Sequence, residues 1–263
     1  DVSGVLTIED GGSIDVSGRG YPADATYPGA TPGTNVAGSH LGVGGLQGGG
    51  TLSGTYGSVT RPQEAGSGGF GSYAQPGGGV IRIEAGSVVL GGANAAILAN
   101  GGGNHSNVGA GGSVWIKTGT LTGDGRIEAG GADAYSSAGG GGAIGIEYGS
   151  MSGTVQSRTR TKGGGSQFAT GRGGAGTIYL KGPGATYGTL SVDNLGTSGQ
   201  ATVLPSLGSG VAQEGTSGAT LVTGQAAIPA YFDGHWVAIR RGGEAVGVWR
   251  VSEIAGATLK LAA

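Results

Sequence analysis

The sequence predicts an all-β protein: a glycine-rich parallel β-solenoid (β-helix) with long side loops, followed by a small antiparallel β module. Three observations predict it. A pattern of apolar–any–apolar–charged residues recurs at Leu6–Glu9, Ile81–Glu84, Val114–Lys117, Ile144–Glu147 and Ile178–Lys181. The last four copies begin at 81, 114, 144 and 178, spacings of 33, 30 and 34 residues, which lie in the range of solenoid repeats. Between the copies lie most of the 66 glycines of this 263-residue chain, in clusters such as GGGNHSNVGAGG and GGADAYSSAGGGG. Collagen is excluded because no strict Gly-X-Y period exists, and disorder because the apolar 37% falls in short alternating runs.

Within each repeat, the alternation predicts a strand with one buried face. Five residues beyond its second apolar position stands another small or apolar residue: Val88, Leu121, Met151 or Ala185. A second short strand follows, marked by Ile14/Val16, Ile97/Ala99, Ile127/Ala129, Thr159/Thr161 and Leu190/Val192. A single strand pair cannot bury its apolar face, whereas coil stacked on coil turns these positions into continuous inward columns. Thr159 and Thr161 interrupt the apolar pattern; turning them inward keeps Arg158 and Arg160 out of the core, so that register is preferred. Glycine fits the corners and the spaces between stacked loops, where side chains would collide with the neighbouring coil.

Two outward columns follow from this alignment. One reads Glu9, Glu84, Lys117, Glu147, Lys181, a ladder of mostly alternating charge. The other reads Thr7, Arg82, Trp115, Gly145, Tyr179, with two aromatics around a glycine, a shape suited to a sugar ring. Arg82, Trp115 and Tyr179 are therefore candidate glycan-binding residues, with burial of Trp115 beneath a glycine-rich loop as the competing reading. A polysaccharide-degrading β-helix enzyme would need paired carboxylates or an acid beside a base, and Glu84, Arg82, Lys117 and Glu147 would supply them. The charge ladder accounts for the same residues, and the expectation is that the chain is not an enzyme.

Residues 1–204 form the predicted solenoid, with a long insertion at 21–79 between the first two coils. Loops of that length are commonly functional. The order GSH…YGS…RPQEAGSGG…GGGVIRIEAG…GGSVWIKTGTLTGDGRIEAGG…GGGGAIGIEY resembles the glycine-rich repeat region of very large bacterial secreted or cell-surface (adhesin-like) proteins. The likeness spans residues 1–200, with Gly38-Ser39-His40-Leu41-Gly42 where such regions often read GSHGG. It implies an extracellular or cell-surface location and a structural, fibre-forming or adhesive setting, and it carries over no catalytic residue. Partners would be glycans or neighbouring subunits of a fibre. The opening residue, Asp1, points to a mature fragment or a domain of a longer protein.

Residues 205–227 have the composition of a linker or partial coil, and 228–263 read as a small antiparallel β module or cap. Its strand candidates are 235–240, 245–252 and 257–262, joined at Gly242-Gly243 and Ala255-Gly256. Trp236 and Trp249 are its candidate interface residues, suited to docking on another subunit.

The remaining chemistry is sparse. A net charge of −2, with no basic stripe among the 14 Lys and Arg, argues against nucleic acid, and no apolar run is long enough to insert in a membrane as a helix. With no cysteine, neither disulfides nor thiolate metal sites can form. His40, His105 and His235 lie far apart, and Asp124 and Asp133 do not repeat as calcium-binding motifs require. No cofactor is expected; calcium remains compatible with the loops but is not indicated.

Overall fold

The structure, a computed structural model, describes residues 1–262 and divides into two compact units, Asp1–Leu204 and the chain from Pro205 onward. The first is a β-solenoid of about three turns. Its strands are β1 (Val2–Ile8), β2 (Ser13–Asp15), β3 (Thr34–Val36), β4 (Leu46–Thr51), β5 (Val80–Leu90), β6 (Ala96–Leu98), β7 (Ser113–Gly123), β8 (Arg126–Glu128), β9 (Ala143–Ser152), β10 (Thr159–Arg160), β11 (Thr177–Lys181) and β12 (Thr189–Ser191). One sheet runs β1-β5-β7-β9-β11-β12 and a second β10-β8-β6-β2. Every pairing in them is parallel except β11 with β12.

Register produces the inward columns. Ile81–Val114–Ile144–Ile178, Ile83–Ile116–Ile146–Leu180 and Leu6–Val88–Leu121–Met151 line the first sheet. Ile14–Ile97–Ile127–Thr159 lines the second. These residues interdigitate in one apolar core, and Thr159 and Thr161 turn inward as expected, with the Thr159 hydroxyl donating to the Val155 carbonyl at 2.9 Å.

Two expectations need correction. The first coil is displaced: Leu6 and Ile8 pair with Val88 and Leu90, not Ile81 and Ile83, so Glu9 and Thr7 leave the predicted outward columns. β5, β7 and β9 each continue past the repeated motif, and β1 lies along the far half of β5. Second, Leu190 and Val192 do not open another coil. The chain turns at Pro183–Gly184, where Gly184 has φ +72°, and β12 runs back antiparallel to β11, leaving Leu190, Val192 and Ala185 exposed. β12 and residues 201–203, which hydrogen-bond to Leu41 and Val43, cover the last coil from within this unit. The glycine-rich side loops are present as expected, and they stack on one another.

They form a second, backbone-only layer. In one excursion Gly109 N–H donates to Gly102, Ala110 to Ser67, Gly111 to Gly140 and Gly112 to Ala99. The following excursion repeats the scheme: Gly139 donates to Ala132, Gly140 to Gly38, Gly141 to Gly174 and Gly142 to Ala129. Donors point in turn to the same coil, the insertion and the next coil, then return to the first direction. A three-residue rotation is that of an extended polyproline II helix rather than a pleated strand. Segments of the 21–79 insertion thread this layer, with Gly38 N–H donating to Val108 and Gly42 N–H to Gly141. A Cβ on Gly109 would lie 1.9 Å from the Pro76 carbonyl oxygen, and one on Gly139 2.0 Å from that of Gly109.

The second unit is an antiparallel sheet of β13 (Thr220–Val222), β14 (Trp236–Arg241), β15 (Glu244–Ala255) and β16 (Thr258–Ala262), ordered β13-β16-β15-β14. The three strands read from the sequence are present. Within the linker or partial coil expected at 205–227, β13 pairs with β16 and buries Leu221 against Phe232, Val251 and Leu259, so this part of the segment belongs to the second unit's sheet.

Candidate functional site

Register keeps Arg82, Trp115, Gly145 and Tyr179 in one outward column, yet that column is closed. Trp115 and Tyr179 are each 5% exposed. The Arg82 and Arg61 guanidinium carbons lie 4.6 and 5.9 Å from the Trp115 ring centroid, so the indole is held by two cations. The space above Gly145 is filled by the insertion: a Cβ there would lie 2.8 Å from Pro62 Cδ and from the Thr60 carbonyl oxygen. Tyr179 is covered by the β11–β12 turn, donating its hydroxyl to the Tyr187 carbonyl. The predicted glycan platform is thus the seat on which the insertion and the terminal hairpin are fastened.

Glu84, Lys117, Glu147 and Lys181 form the expected ladder of alternating charge. Glu84 pairs with Arg82, which holds its carboxyl below the usual glutamate range, and Glu147 pairs with Arg61 at 3.4 Å. Both carboxylates are therefore engaged by guanidinium groups. Asp124 and Asp133, which lack the repetition of calcium-binding motifs, have protein partners: Asp124 accepts from the Thr154 amide and hydroxyl, and Asp133 from the Gly165 amide at 2.7 Å. Among the described residues no group of three His, Cys, Asp or Glu could hold a metal, and no helix is long and apolar enough to cross a membrane.

The three histidines lie apart. His40 is fully buried in the insertion, its Nδ1 3.0 Å from the Gly111 carbonyl and its ring 5.1 Å from that of Tyr56. Desolvation lowers its pKa to about 4, against the opposing pull of the carbonyl. Glu64 nearby accepts the Ser58 and Gln63 amides at 3.0 and 3.1 Å, while burial raises its carboxyl. In the second unit His235 is pushed to about 4, chiefly by burial. Trp236 and Trp249 are half-buried: Trp236 pairs with Arg250 and lines a groove with Phe232 and Arg240, and Trp249 folds over Gly247.

His105 stands at a site that the sequence reading missed. Each stacked excursion ends in a tip carrying one ring: Tyr73, His105, Tyr135 and Phe168. Tyr73 packs on His105 with centroids 4.6 Å apart, and Tyr135 meets Phe168 edge-on at 5.9 Å. The Tyr135 amide donates to the His105 carbonyl at 2.8 Å, so the two tips advance in register. Beside the rings runs a serine row in which the Ser136 hydroxyl donates to that of Ser106 at 2.7 Å and that of Ser166 to the Ser136 carbonyl at 2.6 Å. Tyr73 and Tyr135 are 68% and 62% exposed. The available signal was a ring next to or near a serine once per glycine-rich excursion, in SYAQ, NHSN, AYSS and SQFA.

Comparison with protein-family models, curated proteins and solved structures returns no match for this chain.

Proposed function

We propose that the chain is a non-catalytic structural and adhesive segment of a large extracellular surface or fibre protein, and that adhesion is made through the loop tips. The observation that carries this reading is the register of those tips. A glycine framework bonded through its backbone holds four consecutive excursions in place and leaves rings from each layer at or near the surface. Exposed aromatic rings on a rigid support present contact area with little conformational freedom to lose on binding. The sequence resemblance to bacterial cell-surface repeat regions supports the extracellular setting, and the ion-paired carboxylates of the strand ladder support the non-catalytic one.

The test is adhesion of beads coated with the protein to films of bacterial biofilm matrix, with the chain length of the matrix polymers followed by size-exclusion chromatography. Wild-type beads should adhere and leave polymer length unchanged, and a Tyr73→Gly/Tyr135→Ala protein should release them. Shortening of the polymer by wild type, or equal adhesion of both proteins, would overturn the reading.

A further inference from the structure

The tip row also indicates what it holds. We infer that Tyr73, His105, Tyr135 and Phe168, with the serines beside them, form a binding strip for a neutral, extended β-linked polysaccharide; this rests on the adhesive reading of the same tips.

Backbone geometry supplies the first argument. Tyr73 has φ +61°, a left-handed conformation that a bulky residue adopts at a cost and glycine or asparagine adopts readily. Burial does not offset that cost, because the side chain is 68% exposed. A strained residue whose ring projects outward is a recurrent mark of a functional position. Asn107, itself at φ +49° and buried, secures this tip by donating its side-chain amide to the Ser72 carbonyl at 3.0 Å.

The chemistry of the strip supplies the second. Aromatic faces receive the C–H faces of pyranose rings, and hydroxyls and amides beside them exchange hydrogen bonds with sugar hydroxyls. Ser72, Gln75, Asn104, Ser106 and Gln167 provide such groups along the tips. The charges flanking the row balance: Asp133 pairs with Lys162 at 3.6 Å, and Asp24, which accepts the Gly71 amide, offsets Arg172, which donates to the Ser166 carbonyl, so the row carries no net charge to recruit an anionic polymer. Single-stranded nucleic acid also stacks on aromatic rows, but it requires a basic groove, which a chain of net charge −2 without a basic stripe does not provide. Successive coils advance by about 4.8 Å, close to the length of one sugar unit in an extended chain, so consecutive tips can meet consecutive residues of one polymer.

Affinity electrophoresis tests this in native gels containing hydroxyethyl cellulose, arabinoxylan or the anionic polymer alginate. The wild-type chain should be retarded in at least one neutral gel and unaffected by alginate. Tyr135→Ala and Tyr73→Gly should each weaken retention by roughly tenfold, the loss expected for one aromatic contact. Thermal unfolding separates use from structure: Tyr73→Gly should unfold no earlier than wild type, because glycine relieves the left-handed strain. Early unfolding of that variant with unchanged retention would make Tyr73 structural and overturn the site. Retardation by alginate alone, or in no gel, would overturn the ligand class. Bead adhesion persisting in that case leaves the adhesive reading in place, whereas its loss removes both.

Discussion

The solenoid unit has two interiors that obey opposite rules. Between its sheets, Ile97, Ile116, Ile127 and Ile144 fill space with branched side chains, and their volume excludes water. In the adjoining layer, Gly109, Gly139 and Gly173 form a column in which a Cβ on each would fall within 2.0 Å of the preceding segment's carbonyl oxygen. That interior is made of main chain, hydrogen-bonded in three directions, and has no space for side chains at these positions. Side-chain packing can relax around a lost methyl, whereas a backbone column cannot relax around an added one. The glycine content that resembles disorder in composition is here a condition of order.

The sharpest way to break this comparison is to add one methyl to the glycine column. Gly109→Ala places Cβ 1.9 Å from the Pro76 carbonyl oxygen, an atom fixed in the backbone. Overpacking costs about 1–3 kcal/mol where side chains can yield, and here the obstacle is main chain, so the loss should exceed that range. Circular dichroism and urea unfolding should show the first unit's transition abolished or moved to low denaturant. A change under about 1 kcal/mol would mean that the glycine layer is loosely packed and would remove the distinction.

Next in size is the seat of the insertion. Trp115 lies in the outward column of the strand ladder with Arg61 and Arg82 over its ring, beside Gly145, whose outer side is filled by Thr60 and Pro62 of the insertion. Trp115→Ala should cost about 3–5 kcal/mol, as truncation of a buried aromatic does. Limited proteolysis should then cut first within the 21–79 insertion. Wild-type stability in this variant would return the column to its predicted role as an open platform.

His40 sharpens the comparison through pH. Buried in the glycine layer with Nδ1 bonded to the Gly111 carbonyl, it has a folded pKa of about 4 against an ordinary 6.5. Because the folded value is the lower one, the unfolded chain takes the proton first. Stability from this group is complete above pH 6.5, declines as pH falls from there, and reaches its full loss of about 3 kcal/mol near pH 4. Glu64, whose burial raises its carboxyl, acts with the opposite sign over its own range, so the contribution of His40 must be read by difference. Urea unfolding of wild type and His40→Gln at both ends of that window should show a steeper decline for wild type. Parallel declines would place the pH sensitivity elsewhere.

How much of this was legible in the sequence follows the same division. The strand columns could be read because branched residues alternate along each strand and recur once per coil. The first coil was misplaced because Leu6–Glu9 matches Ile81–Glu84 in residue type. Its distance to the second strand, from Leu6 to Ile14, instead resembles that from Val88 to Ile97, which is the observed pairing. Distance between strands is set by the corner they enclose and is the stricter guide. The glycine layer was hidden, because a three-residue rotation leaves no pattern when the side chain is hydrogen. Without that layer the insertion could not be placed over Trp115, nor the excursions stacked so that Tyr73, His105, Tyr135 and Phe168 met.

The smallest effect belongs to the side-chain interior and completes the contrast. Ile127 is fully buried between Ile97 and Thr159 in the second sheet. Ile127→Val removes one methyl and leaves the β-branched strand geometry intact. Its neighbours are side chains able to shift into part of the void, so the loss should be about 1 kcal/mol, with folding still cooperative. The substitution changes volume by the same single carbon as Gly109→Ala. If urea unfolding gave the two variants equal losses, side chain and main chain would be interchangeable as packing material in this fold. A gap of several-fold would show that the glycine layer tolerates less change than the apolar core, and that its glycines, more than its isoleucines, confine the sequence to this fold.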